Sequence, residues 1–176
     1  MKAPIMSITG LAFLLASTAG AQTKVSGQQQ CPKPEVVGTS EAGDRAGHTM
    51  TLQKLSCTWS TALEMEGAKS KDGASVTFVE MSSVRTTSNG TYVGNMDNGD
   101  KFFVNFHDSG AVKDGKPQDI KGTWMYTGGT GKLKGIKGKG TYTVTPNEDG
   151  SAVVDVQGDY AVGPPAKSKE AAPKAN

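Results

Sequence analysis

Two carboxylates stand out because each interrupts an otherwise apolar run: Glu80 within 75–84 and Asp155 within 152–160. A carboxyl group facing a dry interior is held above its ordinary pKa and can donate or accept a proton there. The competing placement is outward, where polar residues of half-buried strands normally alternate, and that is the placement expected for both. Trp59, Phe103, Trp124, Tyr126 and Tyr142 supply the aromatic surface of a candidate apolar pocket, together with Glu80 and Asp155 as its polar members. The same rings equally suit the plain filling of a small core.

Other residue groups fail on context. His107-Asp108 has the form of an oriented base, but no Gly-x-Ser-x-Gly accompanies it, and Asp108-Ser109-Gly110 reads as a turn. Asp97, Asn98 and Asp100 resemble a calcium loop without its glycine and distal glutamate at their spacings, so a hairpin turn is expected. Gly131-Lys132 is followed by leucine where a phosphate loop needs serine or threonine, and no helix pattern follows it. Asn89-Gly90-Thr91 is a glycosylation sequon, relevant only in a eukaryotic secretory pathway. No catalytic residue, metal set or cofactor is assigned.

The chain has 176 residues, 23 glycines, two cysteines and a formal charge of +2. That length suits one domain, and the charge is too mild to indicate nucleic acid. No apolar stretch is long enough to span a bilayer as a helix. Lys2, the apolar run 8–16 and Ala19-Gly20-Ala21 have the order of a signal peptide cleaved before Gln22. Export to the periplasm or the exterior is expected, and no cysteine follows the site to carry a lipid. In that oxidising setting Cys31 and Cys57 are expected to form a disulfide that pins the N-terminal segment to the first long strand. A zinc site with His48 or His107 matches no known spacing.

Charge is unevenly placed. Lys24 and Lys33 sit in the polar segment 22–34, and Lys167, Lys169 and Lys174 in the Pro- and Ala-rich tail 163–176, which is expected to be disordered. The body 35–162 between them is mildly acidic, so the basic pI says nothing of a basic face on the domain.

Within that body the period is two. Leu55, Cys57 and Trp59 share one face, as do Phe102, Val104 and Phe106, Trp124 and Tyr126, and Ala152, Val154 and Val156. Turn signals fall at 71–73, 88–90, 97–99, 114–116 and 148–150. No window holds a helical period with caps. This is an all-β, antiparallel meander, and about eight strands suggest closure into a barrel, which removes exposed edges. A two-sheet sandwich is the alternative.

The stretch GGTGKLKGIKGKGTYTV, residues 128–144, permits sharp bends and close backbone approach between strands. Leu133 and Ile136 are apolar plugs beside it. Lys132, Lys134, Lys137 and Lys139 form a solvated face, with an anion patch as the sharper reading. This stretch resembles the glycine-rich hairpin of the allene oxide cyclase and dirigent barrel superfamily, including its uncharacterised exported bacterial branch. Leu133 stands where an aromatic residue is commoner. The resemblance implies a calycin-like barrel with a mostly apolar cavity, often oligomeric; it carries no catalytic residue onto this chain.

The expected function is therefore an exported small β-barrel that binds a small apolar ligand or serves a structural role in the envelope. The alternative is a cyclase- or isomerase-like enzyme with a hydrophobic substrate in the cavity. Expected partners are a small apolar ligand or further copies of the chain, with neither nucleic acid nor a membrane span.

Overall fold

The computed structural model describes residues 22–163. Residues 1–21, where a signal peptide is expected, and all but the first residue of the expected tail 163–176 lie outside the described residues. Ten strands follow in chain order: β1 (Thr23–Cys31), β2 (Glu35–Glu41), β3 (Thr49–Thr61), β4 (Glu64–Met65), β5 (Ala68–Met81), β6 (Arg85–Met96), β7 (Lys101–Lys113), β8 (Lys116–Gly129), β9 (Ile136–Pro146) and β10 (Ala152–Val162). A single 3-10 turn, Gly131–Leu133, is the one helical element among the described residues. No described helix is long and apolar enough to cross a membrane.

Every strand pairing is antiparallel. The order β3-β1-β10-β9-β8-β7-β6-β5 closes on itself through β3–β5, giving an eight-stranded barrel with β2 and β4 added to its rim. The barrel, not the sandwich, is thus the architecture. The polar segment 22–34 does more than lead into the domain. Thr23–Cys31 is a wall strand, bonded to β10 along its whole length and to β3 at Gln28–Gln30.

β1 and β2 form one line along β3, interrupted at Pro32-Lys33-Pro34, where a ladder cannot run unbroken through prolines. Cys31 and Cys57 sit opposite each other at that break and are disulfide-bonded, with Cα atoms 4.3 Å apart. The bridge joins the end of β1 to the middle of β3, the disulfide expected of two cysteines in an oxidising compartment.

Two expected turns are not turns. Lys71-Asp72-Gly73 lies inside β5 and Ser88-Asn89-Gly90 inside β6. Their glycines face inward and receive aromatic rings from neighbouring strands: a Cβ at Gly73 would collide with Tyr92, and one at Gly90 with Phe106. The same relation pairs Gly94 with Phe102, Gly122 with Tyr142, and both Gly140 and Gly158 with Trp124. By contrast, Asp114 (φ 51°) and Gly115 (φ 72°) make the tight β7–β8 turn, whose left-handed backbone suits that pair.

One end of the barrel is closed by packing. Leu63, Met65, Phe102, Leu133 and Ile136 are fully buried there, with Met96, Tyr126 and Tyr160 around them. The Tyr126 hydroxyl reaches Met65 Sδ at 3.2 Å. Leu133 and Ile136 are the plugs expected of the glycine-rich stretch.

The loop after β2 is clamped to the barrel wall. His48 is buried, with Nδ1 at 2.5 Å from Asp44 Oδ1 and Nε2 at 2.8 Å from Glu80 Oε1. The hydrogen bonds to Asp44 and Glu80 hold the imidazole pKa above 6.5, while the bond from His48 lowers that of Asp44. A histidine with a raised folded pKa contributes stability that is full below its unfolded value and lost as pH rises through the folded value.

Three outcomes follow. Replacing both Cys31 and Cys57 by alanine lowers stability by about 3 to 4 kcal/mol with the fold retained, read by thermal melting and far-ultraviolet dichroism; two reactive thiols in the oxidised wild type would contradict it. Gly158→Ala places a Cβ 2.5 Å from Trp124 Cζ2 and from the Lys139 carbonyl oxygen, and costs about 1–3 kcal/mol in denaturant titration. The melting-temperature advantage of wild type over His48→Gln shrinks as pH rises from about 6 to about 9, measured in parallel scans.

Candidate functional site

Alternation along each strand decides what faces the interior. β3 turns Leu55, Cys57 and Trp59 inward, β5 turns Ser75, Thr77 and Val79, and β6 turns Thr86, Ser88 and Tyr92. Val104, Phe106 and Asp108 come from β7, Ile120, Trp124 and Tyr126 from β8, Tyr142 and Val144 from β9, and Val154 and Val156 from β10. These residues line a cavity of about 1020 Å³ that occupies the barrel end opposite the plug. Trp59, Tyr92, Phe102, Trp124 and Tyr126 lie on its plug side. Their rings meet at an angle: Trp124 and Tyr126 centroids are 4.9 Å apart and near-perpendicular, as are Phe106 and Tyr142 at 6.1 Å.

The cavity opens where the wall is incomplete. β9 pairs with β8 only from Ile120 onward, and β10 begins at Ala152, level with Cys31. Beyond that level β2 pairs with β3 alone and Lys116–Gln118 with β7 alone, so two strand edges face the opening. All four prolines of the described residues, Pro32, Pro34, Pro117 and Pro146, line this mouth. Proline has no N–H to offer a ladder, so these rims resist being zipped together by a further strand.

Two hydrogen-bonded polar clusters sit in a mostly apolar lining that also carries the hydroxyls of Ser75, Thr77 and Thr86. In the first, the Tyr92 hydroxyl receives Gln29 Nε2 at 2.8 Å and the Trp59 indole Nε1 at 3.1 Å. Burial raises the Tyr92 pKa, although these two donors act the other way. In the second, the Tyr142 hydroxyl donates to Asp108 Oδ2 at 2.5 Å, while Asp108 Oδ1 is buried without a partner. Burial holds the Asp108 carboxyl above its ordinary pKa, opposed by the Tyr142 and Ser88 hydroxyls and by the charge of His107. Tyr142 is pushed up as well, by burial first and then by the neighbouring carboxylate.

Of the residues singled out from sequence, Trp59, Trp124, Tyr126 and Tyr142 come together in the cavity. Glu80, Phe103 and Asp155 do not: each lies between inward-facing neighbours on its strand and points outside. Glu80 holds His48, and Asp155 accepts from Gln28 Nε2 at 2.9 Å on the outer surface. The outward placement expected of both carboxylates is the one found, so neither can serve the interior. The interior acid is Asp108, missed because the neighbouring His107 and the Ser-Gly after it gave the segment the look of a turn. It lies instead within β7, whose alternation from Phe102 through Val104 and Phe106 runs on to Asp108. That continuation was the signal available.

The remaining motifs are structural. His107 faces outward with Nδ1 at 2.8 Å from Asn89 Oδ1. Asn98 Oδ1 accepts the Asp100 N–H at 2.9 Å, an arrangement that builds the β6–β7 turn. Among the described residues no group of three or more His, Cys, Asp and Glu side chains could hold a metal ion. A second depression, about 990 Å³, lies on the outer face of β1 and β7–β10, where Lys24 pairs with Asp159 at 3.4 Å.

No protein-family model and no curated protein matches the chain. Among solved structures it is similar to a DUF3224-family protein of unknown function from Shewanella oneidensis MR-1, at 18% identity and TM-score 0.49, covering 82% of this chain and 99% of that one. It is similar to a pterocarpan synthase dirigent protein at 12% identity and TM-score 0.46, covering 89% and 100%. It is also similar to a conserved protein of unknown function from Rhodopseudomonas palustris at 14% identity and TM-score 0.41, covering 79% and 98%. The site is therefore read from its own residues.

Proposed function

We propose that the chain is an exported β-barrel protein that binds a small, largely apolar molecule inside its barrel. The observation that carries this reading is the unequal filling of the interior. One end is plugged by fully buried Leu63, Met65, Leu133 and Ile136, while the other holds an open cavity of about 1020 Å³ faced mostly by aromatic and aliphatic side chains, with a few serine and threonine hydroxyls. A barrel with a purely structural role gains by filling its centre; a concave, mostly apolar space with a few polar groups suits a ligand. The disulfide accords with an oxidising compartment, and the leader reading supports export. Kinship with allene oxide cyclase and dirigent barrels rests on the segment 122–146 and belongs to the same proposal.

A second reading, a cyclase- or isomerase-like enzyme, is favoured by one feature. Asp108 places a carboxyl of raised pKa inside the cavity, held in place by the hydrogen bond that the Tyr142 hydroxyl donates to it. The two readings separate on Asp108→Asn. If the protein only binds, compounds retained from an extract of its own organism leave it chemically unchanged by wild type and variant alike. If it catalyses, wild type consumes a compound that the variant retains.

Both tryptophans of the chain face this cavity, so their fluorescence reports on it directly. A neutral naphthyl dye, N-phenyl-1-naphthylamine, is expected to bind one per chain with a Kd on the order of micromolar and to quench both indoles. Val156→Trp, which fills the cavity, weakens binding about tenfold or more. Absent binding, or binding that ignores this substitution, would contradict the reading.

A further inference from the structure

We propose that Asp108 Oδ1 is the recognition point for a neutral hydroxyl group, so that the cavity takes an apolar molecule carrying one hydrogen-bond donor rather than a hydrocarbon or a carboxylate. This deepens the ligand-binding reading above and rests on it.

Asp108 is 7% exposed, and its side chain lies on the inner face of β7. Among the Asp, Glu, Lys, Arg and His side chains that line the cavity, it alone is set back from the mouth; Lys116, Asp119, Lys121 and Glu148 stand at the rim. Its two oxygens are treated differently by the fold. Oδ2 is engaged by the Tyr142 hydroxyl at 2.5 Å, and the Tyr142 ring is itself held over Gly122 and against the edge of Phe106. Oδ1 is buried and makes no hydrogen bond of its own, although the Ser88 hydroxyl stands across from Asp108 on β6 and helps to hold its charge. The adjacent imidazole cannot serve it, because His107 points to the other side of the wall and is occupied with Asn89.

A buried acceptor left unmatched costs more than a matched one returns, so a ligand that supplies a donor gains on both counts. The donor is best neutral. A hydroxyl satisfies one lone pair without bringing a second charge to be stripped of water, whereas an ammonium would carry that cost into an apolar cavity. A carboxylate fails twice, since it offers no donor and places like charges together. The rest of the molecule meets mainly aromatic and aliphatic groups, with the hydroxyls of Ser75, Thr77 and Thr86 among them, so its body is largely apolar.

The test uses the oxidised chain from Gln22 and three ligands of one skeleton: 2-naphthalenemethanol, 2-methylnaphthalene and 2-naphthoate, each titrated against tryptophan fluorescence. The alcohol is expected to bind about tenfold tighter than the hydrocarbon, with naphthoate weakest. Asp108→Leu brings the alcohol to the level of the hydrocarbon and leaves the hydrocarbon's own affinity within about threefold. The ranking on the unmodified protein decides the matter alone if that variant does not fold. Equal binding of alcohol and hydrocarbon, or a preference that survives Asp108→Leu, overturns the role of Asp108 while leaving an apolar cavity in place. Failure of all three to bind overturns the ligand-binding reading itself.

Discussion

The interior is governed by a steric complementarity between glycine and aromatic side chains. Tyr92, Phe102, Phe106, Trp124 and Tyr142 each cross a neighbouring strand at a residue without a Cβ, and Trp124 crosses two, Gly140 and Gly158. A ring laid over bare backbone is held against the wall instead of projecting to the axis. This is how a barrel only eight strands around keeps five large rings inside and still leaves space. Any side chain at these glycines would push a ring into that space or force two strands apart. The central cavity is thus a product of where six glycines fall, while nine others among the described residues take the positive φ of turns and bends.

The second constraint is how the wall is sealed. β1 closes the barrel between β10 and β3, and it is a polar strand (TKVSGQQQC) whose inward positions are Val25, Gly27, Gln29 and Cys31. Two devices offset its weak apolar drive. The disulfide fixes its end to β3, and Gln29 reaches Tyr92 inside. Past the bridge, beyond Pro32 and Pro34, β2 keeps only β3 as a partner and the mouth begins. The same few residues therefore seal the barrel below and keep it open above.

Much of this was legible in the residues. Period-two runs and Asp-Gly turns at 114–115 specify antiparallel strands, and the cysteine count specifies the bridge. Turn chemistry misled at Gly73 and Gly90, because an Asn-Gly or Asp-Gly pair cannot reveal whether its glycine makes a bend or receives a ring from a strand that is distant in sequence. The inner face was equally hidden on β3 and β5. There Ser75 and Thr77 are buried, while Leu52, Val76 and Phe78 are 40–47% exposed, the reverse of what hydrophobicity alone suggests. Facing is set by closure of the whole barrel, which no single strand encodes. Asp108 was overlooked for the same reason, since its meaning depends on Tyr142, which reaches it from β9.

The central claim is that the barrel is hollow at one end and filled at the other. A crystal structure of the chain pressurised with xenon tests it most directly, because the gas occupies apolar space that side chains leave free. The account predicts xenon between Trp59, Trp124 and Val156 and none among Met65, Leu133 and Ile136. An interior that takes up no xenon, with the rings of Trp124 and Tyr142 turned to the axis and the glycines facing open space, would contradict it.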